Sequence, residues 1–223
     1  MKRYAVIGLG LLGRTVAREL AGRGAEVIAV DMDGELVQSM AEEVPLAVRL
    51  DSTNRDALKQ QGIDQVDAAL VAIGENFEAA VLTTALLKEF GIPRVVSRAG
   101  TIEEARILKL VNADEVVLVE EMVARRLATR LMSPSLVDMV ELTPGMSLAK
   151  IEAAPEMLGK TLSSLKFRQR YGLNVVAVIK GGEAHGAQTT LLPDPDEVIE
   201  EGDILLVDGP DEAIERMASG DSE

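Results

Sequence analysis

A doubly wound, Rossmann-type parallel α/β sheet followed by a small α+β domain is the fold class this 223-residue sequence predicts. Three observations point there. Apolar strand-like runs alternate with amphipathic helix-period segments through residues 1–119, the pattern of βαβ units. A G-x-G-x-x-G (Gly8, Gly10, Gly13) stands between the first run and the first helical segment. From about residue 136 the alternation gives way to short strands between turns.

Taken in order, the strand-like runs are Tyr4–Ile7, Glu26–Val30, Leu46–Leu50, Ala68–Ile73, Arg94–Ser97 and Glu115–Val119. Helical segments are expected near 11–22, 34–43, 54–61, 77–90 and 102–111. Gly24 closes the first helix, and Gly91 with Pro93 closes the fourth. Residues 120–135, "EEMVARRLATRLMSPS", read as a crossover or linking helix. Met122, Val123, Leu127 and Leu131 lie near one face and Arg125, Arg126 and Arg130 largely on another, until Ser133-Pro134 breaks it. In residues 136–223, "VDMVELT", "SLAKIEA", "NVVAVIK" and "DILLVDG" read as strands, with helices near 161–170 and 211–218. The expected domains are therefore 1–119, a linking helix 120–135, and 136–223.

Composition narrows the function. Aromatic residues make up 2% and Trp is absent, so the core is aliphatic, which suits buried parallel strands. Without cysteine the chain has no disulfide, thiolate metal site or Cys nucleophile. No apolar stretch approaches a membrane span of ~18–20 residues, and the N-terminus reads as no signal peptide. A net charge of −14 opposes contact with nucleic acid or an anionic lipid surface. That charge is uneven: residues 1–134 carry 20 acids and 16 bases (−4), residues 135–223 carry 17 and 7 (−10). The two parts are expected to meet different partners.

The glycine motif has a specific physical reading. Gly8 permits the tight turn, Gly10 lets backbone approach a pyrophosphate, and Gly13 lets the first helix pack against the sheet. Leu9 and Leu11 stand between them, and the helix N-terminus then offers free N–H groups to phosphates. Asp31, ending the second strand, can accept two ribose hydroxyls and would repel a 2′-phosphate. With Met32 beside it, Asp33 either shares the ribose or caps the second helix. Asp51, Ser52 and Thr53 follow the third strand and edge the adenine, Thr53 being equally a helix cap. Ala72, Ile73, Gly74 and Asn76 stand at the fourth strand's carboxyl end, and Arg98 ends the fifth, placed to reach a phosphate or to remain a surface arginine.

An oxidoreductase would also need an acid–base group beside its nicotinamide. The single histidine, His185, lies in the Gly-rich "KGGEAHGAQ" and reads as a solvated loop residue. No Ser-His-Asp set, H-E-x-x-H or Walker sequence is present, and Glu pairs such as Glu42-Glu43 read as solvated surface. A nucleotide sensor is the better expectation, with an NAD(H)-dependent oxidoreductase, or a redox sensor acting on another protein, as the alternatives.

The whole chain resembles the cytoplasmic RCK (KTN) subunits of bacterial Trk/Ktr potassium transport systems. The N-terminal likeness rests on "VIGLGLLGRTVARELAGRGAEVIAVD", "VAIGENFEAAVLTTALLKEFGIP" and "NADEVVLVEEMVARRLA". The C-terminal likeness, to the RCK-C (TrkA-C) module, rests on "LGKTLSSLKFRQRYGLNVVAVIKGG" and "PDPDEVIEEGDILLVDGP". The resemblance implies a regulator without turnover, cytoplasmic and peripheral at the inner face of the membrane. It implies dimers assembling into a ring, commonly octameric, docked on a membrane K⁺-translocating subunit. The ligand implied is an adenine nucleotide, ATP/ADP or NAD(H), at the residues named above from Gly8 to Arg98. Glu120 matches an acid that in some members holds a divalent cation between paired subunits. Arg168 and Asn174, flanking "QRYGL", stand where some relatives bind cyclic di-AMP. One departure is Leu11, where ATP-responsive members carry an Arg against the terminal phosphate. Arg14, one turn later, is either its substitute or an exposed helix arginine.

Overall fold

A computed structural model describes residues 2–133, 135–181 and 188–219. The chain divides into two compact units, Met1–Met122 and Val123–Glu223.

In the first unit six strands, β1 (Arg3–Ile7), β2 (Glu26–Asp31), β3 (Leu46–Arg49), β4 (Ala68–Val71), β5 (Val95–Arg98) and β6 (Glu115–Val117), form one sheet in the order β3-β2-β1-β4-β5-β6. All pairs are parallel. Helices α1 (Leu11–Gly22), α2 (Gly34–Met40), α3 (Arg55–Gln60), α4 (Phe77–Glu89) and α5 (Ile102–Leu110) connect them. The period-2 alternation of strand side chains sorts the core onto two faces. Val6, Val27 and Ala29 pack with Ala17 of α1 and Met40 of α2. Ala5, Ile7, Ile28 and Val30 pack with Leu58 of α3 and with Ala80 and Leu87 of α4. The strand order reverses between β1 and β4, so a crevice opens at their carboxyl ends, where open α/β sheets take ligands.

Helix α6 (Val119–Met132) spans the division between the units and has no buried residue. The second unit is a five-stranded sheet in the order β10-β9-β11-β8-β7, antiparallel throughout. Its strands are β7 (Leu136–Thr143), β8 (Met146–Glu152), β9 (Asn174–Lys180), β10 (Gln188–Leu191) and β11 (Ile204–Pro210). Helix α9 (Asp211–Ser219) buries Ala213, Ile214, Met217 and Ala218 against them.

Two differences from the sequence reading have physical causes. The helix expected at 161–170 is two four-residue pieces, α7 (Leu162–Leu165) and α8 (Phe167–Arg170), because Lys166 between them is left-handed at φ +51°. Strand β10 was not expected: it is four residues long at the sheet edge and carries no alternating pattern. His185 lies outside the described residues.

Candidate functional site

The turn after β1 is built on backbone. Gly8 sits at φ +93°, where a Cβ would lie 2.8 Å from the Ala72 carbonyl carbon, so the turn and the end of β4 are in direct contact. Its N–H donates to the Val30 carbonyl at 2.8 Å. A Cβ at Gly13 would overlap the Gly8 carbonyl, so this glycine lets α1 close on the turn. Leu9 is buried and joins the core under α1.

Gly10 is different. Its φ of −62° suits any residue, and a Cβ there would meet nothing within 4 Å. The fold does not require a glycine at this place, and its absence of a side chain leaves the backbone open to close approach. Helix α1 also lacks both a side-chain cap and an acid in its first turn. The next four helices have both: caps from Asp33, Asn54, Asn76 and Thr101, and first-turn acids Glu35, Asp56, Glu78 and Glu103. The N–H groups of Leu11, Leu12 and Gly13 are therefore left for an anion arriving from outside.

Asp31 ties this turn to the next one. One carboxylate oxygen accepts from the Leu9 N–H at 2.6 Å and the other from the Asp33 N–H at 2.9 Å. Each oxygen keeps a further lone pair for a ribose hydroxyl. Asp33 is the cap of α2, its carboxylate accepting from the Glu35 N–H at 2.8 Å. Met32 is 61% exposed at the turn, and its carbonyl accepts from Arg49 Nε at 2.9 Å.

After β3, Asp51 accepts from both the Thr53 hydroxyl (2.7 Å) and the Thr53 N–H (2.9 Å). Those two bonds, the hydroxyl's first, hold the Asp51 carboxyl below its ordinary value. Thr53 thus serves Asp51, and the cap of α3 is Asn54. Ser52 is buried, its hydroxyl 2.7 Å from that of Thr83 inside α4, so its side chain faces inward and not toward an adenine. Next to it, Thr84 bonds the hydroxyl of Ser97 at 2.9 Å, immediately before Arg98. Adjacent residues of one helix thus anchor both the loop after β3 and the end of β5. The sequence reading missed Thr83 and Thr84, because their partners lie 31 and 13 residues away.

At the end of β4, Ala72 is buried and Ile73 packs on the core. Asn76 caps α4, accepting from the Ala79 N–H at 3.0 Å. A Cβ at Gly74 would collide with the Arg98 guanidinium, which lies directly over this glycine. Arg98 in turn pairs with Glu120 at the start of α6. The Glu120 carboxyl is lowered, first by its own backbone N–H and then by Arg98. Leu11 is 80% exposed and uncharged. Arg14 is half-buried with an unpartnered Nε. Among the described residues no group of three or more His, Asp or Glu is arranged to hold a metal.

The second unit brings Arg168 and Asn174 together: Arg168 Nε donates to the Asn174 side-chain oxygen at 2.8 Å. The Asn174 amide donates to Asp208 at 3.2 Å, which fixes its orientation. Both line a cleft of about 290 Å³ with Phe167, Leu173, Pro193 and Pro195. A second cleft of about 400 Å³ is lined by Lys180, Asp194, Asp196, Glu197 and Glu200. Burial works against the Lys180 charge, but Asp203 and Glu197 together outweigh it and hold the ammonium above its ordinary range. Its amine also donates to the Val198 carbonyl at 2.6 Å, so Lys180 pins β9 to the segment before β11.

Comparison with known proteins assigns both units. Residues 4–119 match the TrkA-N domain and residues 146–219 the TrkA-C domain. The chain belongs to the TrkA/Ktr family. Every cleft residue from Gly8 to Arg98 lies within the TrkA-N match, and Arg168 and Asn174 lie within TrkA-C. The Ktr system potassium uptake protein C of Bacillus subtilis is 37% identical over 216 residues, 97% of this chain and 96% of that protein. The Ktr system potassium uptake protein A of the same organism is 31% identical, covering 97% and 95%. Among solved structures, the GsuK RCK domain superposes with a TM-score of 0.53 at 24% identity, over 97% of this chain and 45% of that one, a likeness of fold.

Proposed function

We propose that this chain is a nucleotide-binding regulatory subunit of a potassium uptake system, acting without catalytic turnover. The observation that carries the reading is the pairing of an end-to-end family match with a cleft whose anion-binding groups are backbone N–H. The ligand is an adenine nucleotide held at the candidate residues: phosphates at Gly8–Gly13, ribose at Asp31, base beside Asp51. Asp31 disfavours a 2′-phosphate, which leaves ATP, ADP and NAD(H) as the ligand set. Chains pair and close into a ring, as an octamer, on the inner face of a membrane K⁺-translocating subunit of Trk/Ktr type, which places the protein in the cytoplasm. Among the described residues no helix is long and apolar enough to cross a membrane. A divalent cation at Glu120 would draw its remaining ligands from the nucleotide and a second copy. Cyclic di-AMP, in the Arg168–Asn174 cleft of the second unit, is a second effector.

Gating requires the ligands to differ in affinity for two ring shapes. A tenfold difference shifts the equilibrium by about 1.4 kcal/mol per chain, hence about 11 kcal/mol over eight chains. That is ample to move a gate. The test is co-expression with a Trk/Ktr-type membrane subunit, followed by K⁺ flux in vesicles with ATP, ADP, NAD⁺ or none. Co-purification with flux that follows the nucleotide supports the proposal. A membrane subunit that neither retains the chain nor responds to nucleotide refutes it.

A further inference from the structure

The end of β4 carries a glycine that its own backbone does not call for. Gly74 does not adopt a positive φ, and it is exposed. The three atoms nearest to a Cβ built there are Nη1, Cζ and Nη2 of one residue, Arg98. The guanidinium therefore fills the place that a side chain at 74 would take. Arg98 is held there from both ends. Its neighbour Ser97 bonds the Thr84 hydroxyl at 2.9 Å, which fixes the end of β5, and its own Nη2 donates to Glu120. Among the described residues nothing accepts from Arg98 Nε or Nη1, so part of the fork is left for an anion. The glycine turn is close by, since Gly8 abuts Ala72 and Ile73, the two residues before Gly74.

We infer that Gly74 is a positioning residue whose bare Cα seats the Arg98 guanidinium across the end of β4, where it meets a phosphate of the bound nucleotide. This rests on the nucleotide reading of the cleft. Any side chain at 74, even a methyl group, occupies the seat and turns the guanidinium away. The fold tolerates that movement, because the guanidinium is the far end of a flexible side chain that is 25% exposed. The ligand does not, because a charge-assisted pair with phosphate depends on the planar fork being aimed before the phosphate arrives. Gly10 and Gly74 are thus bare for different reasons: Gly10 leaves backbone open, whereas Gly74 makes room for another residue's side chain. Glu120 keeps the cation role proposed above, and its bond from Nη2 helps to aim the fork.

The test is calorimetric titration of the full, nucleotide-stripped chain with ADP and Mg²⁺, for wild type, Gly74→Ala, Arg98→Ala and the double variant. Gly74→Ala is expected to melt no lower than wild type, since the backbone there suits alanine, and to bind ADP about three- to tenfold more weakly. Arg98→Ala is expected to lose at least as much. In Arg98→Ala protein the added methyl at 74 is expected to change ADP affinity by less than about twofold, because the group it displaces is gone. General damage to the cleft would instead add to the loss from Arg98→Ala. ADP binding that is unchanged in Gly74→Ala overturns the inference, as does ADP binding that survives Arg98→Ala intact. Weakening by the same factor in both backgrounds also overturns it, since the ligand then meets Gly74 itself. A lower melting temperature for Gly74→Ala overturns it too, because the backbone and not Arg98 would then need the glycine. Wild-type protein that binds no ADP defeats the nucleotide reading itself, and this inference with it.

Discussion

Each unit offers an arginine to a cleft, yet the two are held in opposite ways. Arg98 faces a carboxylate, Glu120, which cancels its charge. Arg168 faces the neutral amide oxygen of Asn174, and its charge is left over. In the first unit the proposed anion site is the uncapped N-terminus of α1 beside the Gly8–Gly13 turn, made of backbone and needing no charged side chain. In the second unit Arg168 is the cation lining its cleft. Anion binding written into the chain trace survives the loss of any one charge, whereas binding that leans on one side chain does not. The net charge of −10 on residues 135–223, against −4 on residues 1–134, sharpens the contrast. A lone cation in an acidic unit has little help from the surrounding field.

The largest effect is expected at Gly10. A serine there suits the observed backbone, gives α1 the cap it lacks and meets no steric obstacle. Gly10→Ser is expected to keep or raise the melting temperature while weakening ADP binding at least 100-fold, because the new side chain occupies the approach to the helix N–H groups. Binding within threefold of wild type, measured by calorimetry, would remove the α1 terminus from the site.

Next in size is Arg168→Ala. If cyclic di-AMP binds the second unit, losing charge-assisted bonds worth about 1.5–3 kcal/mol lowers its affinity roughly 10- to 100-fold. Nucleotide binding in the first unit is expected to stay unchanged, and a parallel loss of both would merge the two sites.

Thr83→Val probes the scaffold under the first cleft. It conserves shape but leaves the buried Ser52 hydroxyl without its partner. The expected cost is about 1–3 kcal/mol in urea denaturation, with Thr83→Ser recovering most of it. An unchanged midpoint would show that the hydroxyl pair bears no stability.

The smallest effect concerns pH. The Asp51 carboxyl is lowered in the folded state by the Thr53 hydroxyl and N–H, so its contribution is present above its unfolded pKa and is lost as pH falls through the folded one. The difference in melting temperature between wild type and Asp51→Asn is therefore expected to be flat above about pH 5 and to shrink below pH 3.8, the ordinary value. A difference that grows on acidification reverses the sign and rejects the bond from Thr53 as its cause.

Much of the first unit was legible because local chemistry and fold agree there. The predicted helix at 11–22 coincides with α1, and the six expected strands are the six found. The second unit was read less well for equally local reasons. Lys166 adopts a left-handed conformation that nothing in "LKFRQR" announces, and β10 pairs at an edge through four residues without periodicity. Within the cleft, motif residues such as Gly10 and Asp31 stood out because their spacing matches a nucleotide-binding motif. Side-chain roles were harder: Asp33, read either as a ribose ligand or as a cap, caps α2, and Asn76, read only as a cleft amide, caps α4, which hydrogen-bond geometry alone could decide. The hydroxyl pairs of Thr83 and Thr84 were invisible, since they depend on which strands become neighbours.

The most direct measurement is calorimetric titration of the full, nucleotide-stripped chain with ATP, ADP, AMP, NAD⁺ and NADH, beside the Gly10→Ser variant. The structure predicts saturable binding at one site per chain for at least one adenine nucleotide, abolished in a variant that melts no lower than wild type. Heat from none of the five, or equal binding by Gly10→Ser, would contradict the assignment of the β1–α1 turn as the nucleotide site.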